Sequence, residues 1–510
     1  MVREMGRVLP VVAIRTMSGL VATVISSGGC AQLAGIDNTN NTGLADSVVV
    51  KRMSIGASVT TAPLDLTGLT AKYYPDPAAA PVVAKTSEAG TWTAQLAAPA
   101  PVELTLPPEP APVRGPRLMA FPNAALQVLY PVLEHPNPQP APDGATIKLT
   151  VPLDLATAGA ETFEVFTVGS WTTRAFAPAE LPAVGAMQIG PVSYDFDTSQ
   201  VLSDRSQLDA LKAEDAFLVL RYAGNALTGV AEAMLTHDQM ADEELTTGTM
   251  VAVAADQPFN ATFDGAAVAA RYATVKPAVT KLEKMSWQLV AAPGYLIGSD
   301  TGPLLQHGGL TVDETAFPTV MYANPFAGLG WNTLFTMATS YSRTFTPAGA
   351  TASVTLSAGM GQAFAPDPTA TTPAALDLPG ALPTRISLDA IQLTADGQTV
   401  AQPQKPVTVT FTTDNASGTL YGVQVLELVE VQVSEMPVVT EIQRKLVYVA
   451  EATAPSFTLR PTVFQAGKNY VLQAHVISGG YPNIATGDLV TRSLPFVHAF
   501  LDSAVFSVTP

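Results

Sequence analysis

The chain has 510 residues, enough for several domains, and only 14% of them are charged. Its 43 acidic and 26 basic side chains leave a net charge of -17, which excludes a nucleic-acid surface built on a basic face and disfavours electrostatic docking on anionic lipid heads. One cysteine excludes an internal disulfide framework, so packing must hold the fold.

The N-terminus reads as an export signal. Arg3, Arg7 and Arg15 form a basic lead, Met17 to Ile25 is an uncharged apolar run, and Ser26 to Gly29 is a small-residue exit. The run is shorter than the about 20 apolar residues that span a bilayer. A buried first strand is the other reading, but a core strand needs no basic leader. Gly28-Gly29-Cys30 resembles the end of a bacterial lipoprotein signal, although Ser27 stands where Leu, Val or Ile is usual. That resemblance implies that Cys30 is lipidated on its thiol, becomes the first mature residue and anchors the chain in the bilayer. Cleavage after Ala31, which would discard Cys30, and a free buried thiol are the competing readings. The small polar residues of 30–46 read as a tether.

Short Val/Thr/Leu runs between frequent Pro and Gly predict an all-β chain of several β-sandwich domains in series. The first, 47–106, is a small sandwich in which Trp92, Ala94 and Leu96 share one face, after a turn with Gly90 at its positive-φ position. Its acid-Ala-Gly turn before an alternating strand resembles the small sandwiches related to the carboxypeptidase regulatory domain, a likeness that implies no site. Pro107 to Pro112 reads as a stiff spacer.

The region 117–378 is β-rich and forms one large sandwich or two smaller ones. Helices are expected over Ser203 to Leu211 and behind Phe263-Asp264-Gly265. Tyr322-Ala323-Asn324-Pro325-Phe326 before Trp331 resembles lipoproteins of predatory and soil δ-proteobacteria, the myxobacterial type, and brings no activity with it. Gly359-Met360-Gly361 reads as a turn and Gln362 to Ala381 as a linker.

Seven strands at sandwich spacing fill 382–510. The segment Phe464 to Tyr470 resembles the tyrosine corner of a fibronectin type III domain, with Phe411 where that family has a core Trp. The resemblance implies a spacer or binding module without catalysis.

Candidate chemistry is sparse. Neither a nucleophile elbow, a zinc-protease helix nor a phosphate loop is present. His135, His237, His307, His475 and His498 show no ligand spacing. Asp195-Phe196-Asp197 with Asp204 is a weak calcium candidate, and His237 to Glu244 a metal candidate by composition, with solvated turns as the plainer reading of both. Trp92, Trp171, Trp287, Trp331 and the Tyr73-Tyr74 pair could line a glycan platform, with one Tyr of the pair exposed. No cofactor, metal or catalytic residue is assigned. The expected role is an exported, lipid-anchored outer-membrane envelope protein, or else a periplasmic or secreted one, that binds, adheres or supports through an envelope protein or glycan partner. A glycan hydrolase with paired carboxylates in the middle region and a calcium-stabilised adhesin are the alternatives.

Overall fold

Strand Thr91–Leu96 illustrates the pattern on which the chain is built. Trp92, Ala94 and Leu96 are buried while Gln95 faces out. Gly90 turns into this strand at φ 71°, and a Cβ there would lie 2.8 Å from the Val50 carbonyl oxygen, so only glycine fits. The structure, a computed structural model, describes residues 44–55, 58–106, 116–121, 123–132, 145–169, 172–195, 210–273, 281–294, 302–415, 418–435 and 438–510. Residues 1–29, read from sequence as a signal, Cys30 and most of the expected tether lie outside these. The end of the tether does not: strand Leu44–Ile55 begins there, and buried Asp46 accepts a hydrogen bond from the Ala100 N–H at 3.3 Å. The polar sequence takes strand form here because its backbone pairs with Thr91–Leu96.

In the first sandwich, Leu44–Ile55 runs antiparallel to Thr91–Leu96 and parallel to Ala125–Val132. The facing layer contains Thr70–Tyr73, Val102–Thr105 and Arg117–Ala120. Val48, Val50, Tyr73, Trp92, Val102 and Val128 fill the space between. The limit expected at 106 is therefore crossed, since strands from 117–132 complete both layers. Tyr73 and Tyr74 are both buried, against the expectation that one is exposed. Strand alternation does not apply to the pair, because Tyr74 lies just past the strand end and turns inward under Arg460.

A second sandwich sets Gln188–Asp195, Thr146–Pro152 and Asp242–Thr246 over Glu161–Thr167, Ala216–Ala223 and Ala226–Met234. Ala216–Ala223 is buried on both faces, which is why it reads as a continuous apolar run. Phe217 and Val219 enter this sandwich's core, whereas Leu218, Leu220 and Tyr222 enter the main core.

The main core lies under one sheet that passes through Lys281–Ala292, Asn332–Phe345, Val354–Phe364, Phe496–Asp502, Asn469–Gly479, Leu420–Glu435 and Val438–Ala452, each hydrogen-bonded to the next. The expected break near 378–382 is absent. Gly359-Met360-Gly361 lies inside a strand, correcting the turn, and Gln362 to Ala381 is no free linker. Ala374–Ala375 pairs with Ala261–Thr262, while Leu376, Leu378 and Ala381 are buried. A composition rich in Pro, Ala and Thr hid these anchors. The helix Gly265–Tyr272 starts where expected, with Asp264 accepting from the Ala267 N–H. The helix expected from Ser203 lies almost wholly outside the described residues.

Over the C-terminal part of this sheet lies a second layer of Pro383–Leu388, Val407–Thr413 and Ser456–Leu459. Phe411 stacks on Phe457 at 6.1 Å, and the Tyr470 hydroxyl accepts from the Gln465 N–H at 3.0 Å, the corner geometry expected from sequence. The chain is all-β in architecture, a set of β-sandwiches sharing strands.

Ion pairs, one of them built on the buried Glu103, link the parts. Glu103, 3% exposed, accepts from the Tyr448 hydroxyl at 2.8 Å and pairs with Arg460 at 2.6 Å. Arg117 forks onto Glu451, 334 positions away. Arg271 bonds the Asp414 carboxylate and the carbonyls of Leu378 and Gly380. Removing one partner of a buried pair strands the other charge and costs about 3–5 kcal/mol, whereas exposed pairs contribute about 0–1. Arg460→Met should therefore cost about 3 kcal/mol in urea unfolding and exceed the loss for Glu103→Gln, which keeps a hydrogen-bonding group without a buried charge; the opposite order would show that Glu103 needs no cation.

Candidate functional site

Small residues carve a trough in the outer face of the main sheet. The register sets Thr336, Ala338 and Ser340 opposite Ala363, Gly361 and Gly359 in the neighbouring strand. The same strand pairs on its other side with Phe496–Asp502, setting Gly359, Gly361 and Ala363 opposite Phe500, His498 and Phe496. Alternation places all nine on one face. The two central rows are small and the outer row is large, so the face is concave. A Cβ on Gly359 would lie 2.4 Å from the Phe500 ring, which therefore folds down over that glycine. Gly361 is open, its nearest neighbour for a Cβ being the Met337 carbonyl at 3.6 Å. Val290, Leu334 and Leu494 close one wall and Ile477 joins the other, around a cavity of about 430 Å³. Among the described residues that line it none is Asp, Glu, Lys or Arg, and Lys284 pairs with Ser340 from the adjoining strand.

The imidazoles of His475 and His498 lie beside this trough. Their strands pair directly, setting His475 opposite Phe500 and Ile477 opposite His498. The rings are stacked, 8° from parallel, and His475 Nδ1 sits 3.1 Å from His498 Nε2, so one nitrogen donates and the other accepts. His475 Nε2 is closed off from solvent with no hydrogen-bond partner. Burial, then the neighbouring His498, then the Arg444 guanidinium push the His475 pKa down from 6.5 to about 3. Burial also lowers that of His498. Farther along the same face Asp502 is fully enclosed, pairing with Arg444 at 2.7 Å and accepting from the Gln473 side chain and the Ser357 N–H.

The sequence passed over this site. It treated the histidines as isolated because 23 positions separate them, and it assigned no strand to Phe496–Asp502. The alternation Phe496-x-His498-x-Phe500 was the available signal.

The sequence candidates lie elsewhere. Asp195 closes a strand, and Phe196, Asp197, Asp204, Trp171 and His135 are outside the described residues. In the His237 to Glu244 segment, Asp238 accepts from the Ala213 N–H, while buried Glu243 accepts from the Met240 N–H and lies 3.5 Å from His237. Among the described residues no group of three side chains could hold a metal ion. Trp92, Trp287 and Trp331 are core residues and so line no glycan platform. Asn324 caps its own turn, accepting from the Phe326 N–H and donating to the Trp331 carbonyl, so the Tyr322 to Phe326 motif is structural. Asp264 and Asp377 both line a shallow cavity of about 300 Å³, but both are exposed and Asp264 is occupied in capping the helix.

The histidine pair gives stability a pH dependence. His475 stays neutral in the folded chain down to about pH 3, while the unfolded chain takes up its proton near 6.5. The unfolded state then binds more protons between those values, so stability falls as pH falls, by up to about 1.4 kcal/mol per pH unit. Urea unfolding between pH 6.5 and about 5 should show this slope in the native chain and a shallower one in His475→Phe. Equal slopes would mean that His475 titrates normally.

No family model and no curated protein matches the chain. Among solved structures it is similar to Escherichia coli alpha-2-macroglobulin in its native conformation, at 10% identity and a TM-score of 0.16, over 91% of this chain and 28% of that one. A Salmonella alpha-2-macroglobulin mutant gives 12% identity and a TM-score of 0.14, over 85% of this chain and 27% of that one. The chain thus spans about a quarter of the length of these two proteins, and TM-scores this low leave fold and function to be argued from the chain itself.

Proposed function

We propose that the chain is an exported cell-envelope binding protein, anchored through an acylated Cys30, and that the trough between Asn332–Phe345 and Phe496–Asp502 seats its ligand. The observation that carries the binding role is the trough: a concave, apolar face on rigid strands, within the about 300–1,000 Å³ usual for small-molecule sites. Export and anchoring rest on the basic lead, the short apolar run and the Gly-Gly-Cys exit. Among the described residues no helix is long and apolar enough to cross a membrane. A thiol-linked chain together with further acyl groups would supply firm attachment, since stable anchoring takes more than one lipid.

Two measurements test this. The apolar fluorophore N-phenyl-1-naphthylamine should bind saturably at one site, and Gly361→Leu, which projects a side chain into open space, should weaken it by at least about tenfold without changing the melting temperature. Unsaturable binding, or equal binding by the variant, would rule out the trough as the seat. Intact mass of detergent-extracted protein from a bacterial host should place the mature N-terminus at Cys30 with acyl mass that a Cys30→Ser variant lacks. A start at Gln32 or an intact Met1 would remove the anchor.

A further inference from the structure

Resting on the membrane location proposed above, we infer that one end of the second sandwich enters the surface of a bilayer of electrically neutral lipid, through the loops 153–160, 177–187 and 248–255. Val184 is 74% exposed there, Val251 63%, Leu155 56% and Met187 53%. In a chain of net charge -17 the three loops carry only two charged residues, Asp154 and Glu180. Apolar side chains scattered singly over a surface mean little, but four on adjoining loops form a patch.

The loops meet through their backbones. Leu153 donates its N–H to the Met187 carbonyl at 3.0 Å and bridges to Met250, while Asp154 accepts from the Ala252 N–H at 3.2 Å. Buried Thr157 ties the first loop to the second: its backbone bonds Ala186 and Gly185, and its hydroxyl donates to the Ala183 carbonyl and accepts from the Ala186 N–H. Beneath the first loop the buried Arg221 guanidinium bonds the carbonyls of Leu155 and Ala156 and pairs with Glu161. Turning Leu155, Val184 or Met187 inward would break the Thr157 bonds or strand the Arg221 charge, so the fold holds these side chains in water.

Size and composition favour lipid over a protein partner. The open parts of the four side chains amount to roughly 150–300 Å², well short of the about 800 Å² that each partner gives a stable protein interface. The loops contain no Trp, Tyr or Arg, the side chains that anchor such interfaces. Their two carboxylates are taken, Asp154 by Ala252 and Glu180 by Arg174 at 2.6 Å and the Ala177 N–H. Hydrocarbon asks for no matching group and adapts to any shape, and affinity for it follows apolar area. Exposed Glu232 and Asp256 flank the third loop and, with the net charge, oppose anionic head groups, which leaves neutral lipid as the surface entered. A contact this small is weak alone and becomes effective when another attachment keeps the chain at the membrane.

The full chain carrying Cys30→Ser and Val184→Cys has one thiol, which takes a nitrobenzoxadiazole label. A C-terminal histidine tag on a flexible linker holds the chain on phosphatidylcholine vesicles doped with nickel-chelating lipid, whatever the fate of Cys30 in the cell. Emission from position 184 should shift to the blue and be quenched by spin-labelled lipid. The same label in Gln404→Cys, an exposed position in the C-terminal part, should show neither change. Leu155→Ser with Met187→Ser should lower the ratio of quenched to unquenched label at 184 by at least about tenfold without changing the melting temperature. No shift at 184 on a chain held at the vesicle surface would overturn the inference, as would equal quenching at 184 and 404. A blue shift that needs no vesicles and grows with protein concentration would overturn it too, by showing an interface between copies. None of these readouts depends on acylation of Cys30 or on the trough, so failure of either leaves them legible.

Discussion

The antiparallel pairing of Val354–Phe364 with Phe496–Asp502 is the constraint on which most of this architecture depends. It joins strands more than a hundred residues apart into one sheet and fuses the central sandwich to the C-terminal one. It also fixes which side chains oppose one another across the outer face. A register one residue away would turn Ala499 and Leu501 outward and bury His498 and Phe500 in the main core. The inner face prevents that slip, because Ala499, Leu501, Ala358 and Met360 are packed there. The trough is thus a by-product of core packing, since its small residues sit where the buried alternation places them.

Charge is used in two ways. Where sandwiches meet, single buried ion pairs with several hydrogen bonds, such as Glu103 with Arg460 and Tyr448, specify which surfaces dock. At the trough the described polar side chains are the hydroxyls of Thr336 and Ser340 and the imidazole of His498. On the same sheet face the enclosed Asp502 pairs with Arg444 at 2.7 Å.

Strand positions were legible wherever alternation or β-branched runs signalled them, as in Thr91–Leu96, Ala216–Ala223 and Asn469–Gly479. The tyrosine corner was legible because it is local, closing over five residues. Domain limits were not, because they depend on which distant strands pair. Pro-rich and Ala-rich composition around 362–381 looks the same whether the segment is free or tucked into a core. The site was hidden for a related reason. Gly359 and Gly361 carry no period of their own in a sequence, and His475 and His498 become neighbours only through the pairing of their strands. Single-strand reasoning finds faces, whereas a trough needs three strands in register.

The strand sharing has a consequence for how this chain reaches its native state. Arg117–Ala120 closes the first sandwich on one side and lies parallel to Val449–Ala452 on the other. Parallel pairing over such a separation carries a large loop-closure cost before any contact rewards it. This edge of the first sandwich cannot complete its backbone pairing until the last quarter of the polypeptide is present. Until those distant residues arrive, Arg117–Ala120 offers one side of its backbone as an unpaired strand edge, the kind of edge that can pair with another copy.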